Sequence, residues 1–355
     1  MLGIKELLQL VIERSASDLH LIVGYPPMLR IDGELVPIAE SGTLSHEQIQ
    51  QLLHGVMNAD QLERMGVNRE IDFSVPYSER ARFRVNAYTQ RGSWAASFRG
   101  IPLEIPTVDS LGLPPIIHSF AGLRQGFVLV TGPTGHGKST TLASILDEIN
   151  TNRASHIVTI EDPIEFVFPK RRSLVSQREM GNDSHSWNVA LKSVLREDPD
   201  VVLVGEMRDY ETIAAALTIA ETGHLVFATL HTNSAAQTID RIVDVFPNEQ
   251  QTQVKLQLSN VLGAVFSQRL IPALNGGRVV AYETMLSTTA IMTAIREGKT
   301  HQIDSIIQTS SESGNVLLET SLAALISEGK VTVDVARNYA IRPEELNRIL
   351  HRIVG

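Results

Sequence analysis

The sequence predicts an α/β protein: a C-terminal domain built on a mostly parallel central sheet, preceded by a separate α+β domain. Three observations carry this. Beyond residue 120, short apolar strands alternate with helical runs, the rhythm of a parallel sheet covered on both faces. Before it, strands and helices follow a different order around a hairpin at Asp32-Gly33. Between the two, Gly100–Pro115 holds four prolines, Pro102, Pro106, Pro114 and Pro115, the composition of a linker. The expected boundaries are 1–100 for the first domain, 101–120 for the linker and 121–355 for the second, with a helical C-terminal portion.

In chain order, Leu2–Arg14 places apolar residues at helical spacing. Ser17–Val23 leans towards strand, and Tyr25-Pro26-Pro27 breaks it. Met28–Ile31 and Glu34–Ile38 read as a hairpin closed by Asp-Gly. Ser45–Met57 and Asn58–Met65 read as helices, Glu70–Val75 and Ala81–Arg99 as strands. Then come strand Gly126–Thr131, helix Thr140–Ile149, strand His156–Ile160, helix Asn188–Leu195, strand Val201–Val204, helix Glu211–Glu221 and strand Leu225–Thr229. Beyond residue 240 the pattern is mostly helical, with a hairpin near Asn275-Gly276-Gly277.

Composition narrows the chemistry. The chain has 355 residues and no cysteine, which excludes disulfide frameworks, tetracysteine zinc sites and thiol nucleophiles. No apolar run approaches the roughly 18–20 residues that span a bilayer, and the N-terminus lacks a signal-peptide pattern. A soluble, cytoplasmic protein without direct membrane insertion is expected. The net charge of −9 argues against a general nucleic-acid binder.

The most specific motif is Gly132-Pro133-Thr134-Gly135-His136-Gly137-Lys138-Ser139, a G-x-x-x-x-G-K-S loop between an apolar strand and a helical run. Backbone N–H groups of such a loop cradle phosphates at a helix N-terminus. Lys138 would reach the β- and γ-phosphates, and Ser139, followed by Thr140, would ligate Mg²⁺. ATP or ADP with Mg²⁺ is the expected ligand.

Three further strands end in polar residues, the edge where open α/β sheets bind ligands. Glu206 follows Val201–Val204 and is expected to hold Mg²⁺, partly through water. Glu161, Asp162 and Glu165 crowd the end of another strand, a costly cluster unless a cation compensates. Glu165 is the candidate for the water-activating base and Glu161 for nucleotide binding, an acidic surface turn being the alternative. His224 and His231 lie seven apart at opposite ends of a third strand, poor spacing for one metal. A phosphate sensor or an intersubunit contact is the expected role, with His231 a catalytic candidate, His224 a candidate nucleotide contact and a structural role the alternative for each.

In the first domain, Arg80, Arg82 and Arg84 fall on one strand face, with Arg91 and Arg99 beyond. No acidic residue occurs from Arg80 to Leu103. The stretch is a local anion-binding surface for nucleic acid, membrane or another subunit's γ-phosphate. A solvated edge strand kept from aggregating by its cations is the alternative.

Taken together, these motifs resemble the secretion-type hexameric ATPases, specifically the PilT-like type IV pilus retraction ATPases. The Walker A loop is Gly132–Ser139, the Asp box 159–166, Walker B 195–209 and the His box 221–232. The stretches 237–247 and 296–302 also match. The resemblance implies a PAS-like N-terminal domain and a RecA-like P-loop domain, a homohexamer, and ATP bound between domains. It implies arginine fingers at Arg82, Arg84 and Arg99, water polarised by Glu165 and Mg²⁺ supported by Glu206. The function it implies is ATP-driven retraction of type IV pili in twitching motility. The chain would act from the cytoplasmic side of the inner membrane on the platform protein at the pilus base.

Extension ATPases of the superfamily carry a tetracysteine zinc site and a further N-terminal domain. This chain lacks cysteine and starts at the PAS-like part, which favours retraction. Its departures are His136 where the family's loop has Ser, and Met292 where Ala290–Glu297 should carry Arg. The alternative is an accessory or low-turnover ATPase acting as a nucleotide-gated partner, with a paralogous ATPase cooperating. A DNA motor or a small-molecule kinase finds no supporting feature.

Overall fold

The computed structural model describes residues 2–31, 33–78, 81–101 and 104–354. Asp32, Arg80, Pro102 and Leu103, used in the sequence reading, lie outside them. The chain divides into two compact units, Met1–Glu104 with Pro163–Val167, and Ile105–Asp162 with Phe168–Gly355.

The first unit contains α1 (Ile4–Glu13), β1 (Asp18–Leu21), β2 (Met28–Ile31), β3 (Glu34–Pro37), α2 (His46–His54), α3 (Ala59–Asn68), β4 (Glu70–Ser78), β5 (Ala81–Gln90) and β6 (Ser93–Ile101). The strands form a six-stranded sheet in the order β3-β2-β1-β6-β5-β4, antiparallel throughout. Leu7, Leu8 and Val11 of α1 and Ile49, Leu52 and Leu53 of α2 share one buried cluster with Leu19, Phe83, Val85 and Phe98 of the sheet. Capping boxes start α2 (Ser45 with Gln48) and α3 (Asn58 with Gln61), satisfying N–H groups that no helical carbonyl can reach. The stretch read as strand over 81–99 is two strands. Arg91 (φ 49°) and Gly92 (φ 77°) turn between them, the left-handed pair that suits a tight hairpin.

The second unit contains α4 (Ile116–Gly122), β7 (Gly126–Thr131), α5 (Lys138–Asn152), β8 (His156–Glu161), β9 (Leu174–Glu179), α6 (Trp187–Val194), β10 (Val201–Val204), α7 (Tyr210–Glu221), β11 (Leu225–Leu230), α8 (Ala235–Asp244), α9 (Asn248–Val261), β12 (Leu262–Pro272) and β13 (Arg278–Leu286). It ends in α10 (Thr289–Arg296), α11 (Ile303–Thr309), α12 (Leu318–Ser327), α13 (Val333–Tyr339) and α14 (Pro343–Val354). Its seven strands run β13-β12-β7-β11-β10-β8-β9. Every neighbouring pair is parallel except β12 with β13. The α/β reading with a mostly parallel sheet therefore holds.

Two buried clusters cover the sheet's two faces, which is why Val201–Val204 is apolar at all four positions and buried at each. Strand β9 and the joining of β12 to the central sheet were not foreseen in the sequence. No helix among the described residues is long and apolar enough to cross a membrane.

Candidate active site

The order β7-β11-β10 puts the strand ending at His231 between the strand feeding the Gly132–Ser139 loop and the strand ending at Glu206. Parallel register aligns the ends, with Leu230 opposite Thr131 and Ala228 opposite Val204. Three segments far apart in sequence therefore meet at one carboxyl edge of the sheet, as open α/β sheets require of a binding site.

The loop is shaped by backbone that only glycine adopts comfortably. Gly132 has φ 137°, and a Cβ there would lie 2.3 Å from the Gln268 carbonyl oxygen. Gly137, at φ 82°, opens α5 without any side-chain cap. The first-turn N–H groups of α5 are thus left for an anion. Lys138 is buried, and its Nζ donates to the carbonyls of Gly132 (2.8 Å) and Pro133 (3.0 Å). The ammonium is folded back across the mouth of the loop.

Glu206 is held from both sides. Thr229 Oγ1 donates to Gly205 O at 2.5 Å, and Met207 N donates to Thr229 O at 3.1 Å. Its carboxylate meets Arg208 Nη2 at 2.7 Å and His231 Nε2 at 3.0 Å. Burial pushes the Glu206 carboxyl up, but the hydrogen bond and charge of Arg208, with His231 and Lys138 behind it, hold it below the usual glutamate value. It is a carboxylate at neutral pH.

His231 completes the link. Its Nδ1 lies 3.2 Å from Thr134 Oγ1 and 3.4 Å from Lys138 Nζ. A lysine ammonium only donates, so Nδ1 accepts and the proton sits on Nε2, facing Glu206. One imidazole thus joins the Walker-type carboxylate to the loop.

The other expected residues are placed as follows. Ser139 and Thr140 lie on the first turn of α5, half-buried. The Ser139 hydroxyl has no hydrogen-bond partner among the described residues. With the ionised Glu206 nearby, this oxygen donor set suits a hard cation such as Mg²⁺. Glu161 ends β8, buried, where its Oε1 accepts from Thr159 Oγ1 at 2.6 Å. Glu165 is exposed and falls in the segment grouped with the first unit. His224 is not brought to the loop of its own chain. It precedes β11 at the end opposite His231, and its Nδ1 pairs with Thr222 Oγ1 at 2.9 Å and Ile219 O at 3.1 Å. Roughly 20 Å of strand separates the two histidines.

In the first unit, Phe83 and Val85 face the core. The alternation leaves Arg82 and Arg84 on the other face. Arg82 Nε donates to Ser74 Oγ at 2.9 Å. Arg84 stands directly opposite Arg99 on β6, and Arg99 opposite Asp18 on β1. Arg99 Nε reaches Asp18 Oδ1 at 2.9 Å while its side chain stays 70% exposed. Like charges directly across a strand pair destabilise a sheet. Asp18, and Asp72 and Glu70 of β4, share that face, so its cations are partly offset by carboxylates.

Two contributors were missed in the sequence. Arg208 was not singled out, though it pairs with Glu206. Gln268 of β12 contacts the loop; its signal was a run of three polar residues, Ser267-Gln268-Arg269, inside an otherwise apolar strand.

Fold and loop together describe a P-loop ATPase on a RecA-like sheet. The family model for "Type II/IV secretion system protein" matches residues 2–338, and the chain belongs to that family. It is 48% identical to a Pseudomonas aeruginosa type IV pilus retraction ATPase, PilT, over 97% of this chain and 99% of the relative. A Neisseria gonorrhoeae twitching motility protein is 46% identical over 90% of this chain and 86% of its own. A crystal structure of the pilus retraction motor PilT with bound ADP superposes with a TM-score of 0.92 at 46% identity, covering 98% of this chain and all of that one. The chain is accordingly an ATPase.

Proposed function

We propose that this chain is a Mg-ATP-driven motor that retracts type IV pili, working as a homohexamer. The observation that carries the reading is the 48% identity, across 97% of the chain, to a pilus retraction ATPase. The Glu206–His231–Lys138 constellation supports it. In this reading Gly132–Thr140 wrap the nucleotide phosphates, with Pro133, Thr134, Gly135 and His136 forming the outer wall. Lys138 releases the carbonyls of Gly132 and Pro133 to meet the β- and γ-phosphates.

Ser139 and, partly through water, Glu206 would hold Mg²⁺, which supplies charge neutralisation and orientation at the phosphate oxygens. Glu165 orients and deprotonates the attacking water, and Glu161 anchors the strand end beside it. His231, already hydrogen-bonded to both Glu206 and the loop, reports the presence of a γ-phosphate to both. Arg82, Arg84 and Arg99 stabilise the charge on the transferring phosphoryl group of a neighbouring subunit, the role of arginine fingers. A ring of six fits such head-to-tail completion. The partner is the platform protein of the pilus base, reached from the cytoplasmic face of the inner membrane.

The test is genetic. A strain lacking this chain should keep its pili extended and lose surface motility; the wild-type chain should restore both, and the Glu206→Gln chain neither. Normal retraction in the deletion strain would overturn the reading.

A further inference from the structure

Strand β12 lies beside β7 and reaches the loop at three places. The Gln268 carbonyl oxygen occupies the space a Cβ on Gly132 would need. The Gln268 side chain donates from Nε2 to His136 O at 2.7 Å and accepts at Oε1 from Thr141 Oγ1 at 2.8 Å. Two residues on, Leu270 N donates to His136 Nδ1 at 3.0 Å. Through one amide, β12 is tied both to the loop and to the first turn of the helix that follows it.

Gln268 is 1% exposed, between Val265 and Phe266 on one side and Ile271 on the other, all fully buried. Burying an amide is unfavourable unless its donors and acceptor are satisfied. Packing within β12 would be served as well by leucine or methionine. The amide makes its side-chain hydrogen bonds to the loop and α5.

The His136 ring faces the same way. To accept from Leu270 N, its Nδ1 must be unprotonated. Burial, then the positive charges of Arg269, Lys138 and Arg278, hold His136 below the ordinary histidine value, so the contact persists at neutral pH. The ring is committed to β12 rather than to the phosphate cradle. A phosphate loop binds best when its N–H groups already converge, because ordering a flexible loop on binding opposes affinity.

We propose that Gln268 is a positioning residue for the nucleotide phosphates: its amide fixes the curvature of the 132–138 loop from behind without touching the nucleotide. The proposal rests on reading Gly132–Ser139 as the phosphate loop.

The test measures ADP affinity, ATPase kinetics and amide exchange at residues 134–137 in the full chain, for Gln268→Met, Thr141→Val and Lys138→Ala. Methionine keeps the volume and removes both hydrogen bonds. Gln268→Met should weaken ADP binding and raise KM for ATP about tenfold, the effect of one to two hydrogen bonds. Its kcat should fall by less than KM rises, and exchange should quicken across 134–137. Thr141→Val frees only Oε1 and should show the same changes at smaller amplitude; it decides the matter if Gln268→Met does not fold. A folded Gln268→Met, or failing that Thr141→Val, with ADP affinity and exchange like the wild type overturns the positioning role, even if its melting temperature drops. Wild-type ADP affinity in Lys138→Ala overturns the phosphate-loop reading itself, and the proposal with it.

Discussion

His231 Nε2 stands 3.0 Å from Glu206 Oε1, while the other nitrogen of the same ring faces Thr134 and Lys138. Strand β11 creates this relationship. Its Thr229 pins the backbone on both sides of Glu206, and two residues later it delivers the histidine. The site is thus wired across three strand ends.

Removing the imidazole should uncouple those ends. His231→Ala should lower kcat about 10–100-fold, the scale of a displaced catalytic group. Its melting temperature should stay close to the wild type, since the side chain is 42% exposed. Steady-state phosphate release checks this, and unchanged turnover would make His231 a bystander.

Lys138→Ala removes the cation closest to the loop's mouth. Turnover should fall on the order of a thousandfold, as when a preorganised charge is taken from a transition state. ADP binding followed by calorimetry should weaken in parallel.

A pH effect follows from His118 of α4. Its Nδ1 lies 2.8 Å from Glu148 Oε2 and its Nε2 3.2 Å from Asp109 Oδ1. The hydrogen bond it donates to Glu148, then that to Asp109, raises its pKa above 6.5. A raised value means the stabilisation is complete below 6.5 and fades as pH climbs through the folded-state value. His118→Gln should therefore melt further below the wild type at pH 6 than at pH 8. An equal gap at both values would contradict this.

The C-terminal helices are held by an ionic hub. Arg342 meets Glu319 at 2.9 Å, Glu283 at 3.2 Å and Asp304 at 2.7 Å, and Glu283 and Glu319 are fully buried. Glu283 also accepts from Ala235 N at 2.8 Å, the start of the helix that follows His231. Arg342→Met leaves buried carboxylates unpaired and should destabilise by about 3–5 kcal/mol in denaturant titration. A loss within about 1 kcal/mol would show that the carboxylates find water or protons instead.

Local features were legible in the sequence and remote ones were not. Gly132–Ser139, Val201–Val204 with Glu206, and the alternation of Arg82 and Arg84 with Phe83 and Val85 each declare themselves within a few residues. The tight turn at Arg91-Gly92 was hidden because arginine rarely takes a positive φ. Strand β9 was hidden because its exposed edge position leaves a polar, aperiodic segment. Gln268 and His136 are 132 residues apart, and Glu283 and Ala235 are 48 apart; only the folded sheet brings them together. His224 and His231 look alike in sequence, and the direction of β11 alone separates them.

A motor of this design needs one subunit's arginines to complete another's phosphate site. The direct measurement mixes Lys138→Ala and Arg82→Ala chains, each inactive alone, under conditions of subunit exchange. Completion in trans predicts recovered ATPase activity, about a quarter of the wild-type rate in a randomly mixed ring, where that fraction of head-to-tail interfaces pairs an intact loop with an intact arginine. A mixture as inactive as its components would contradict it.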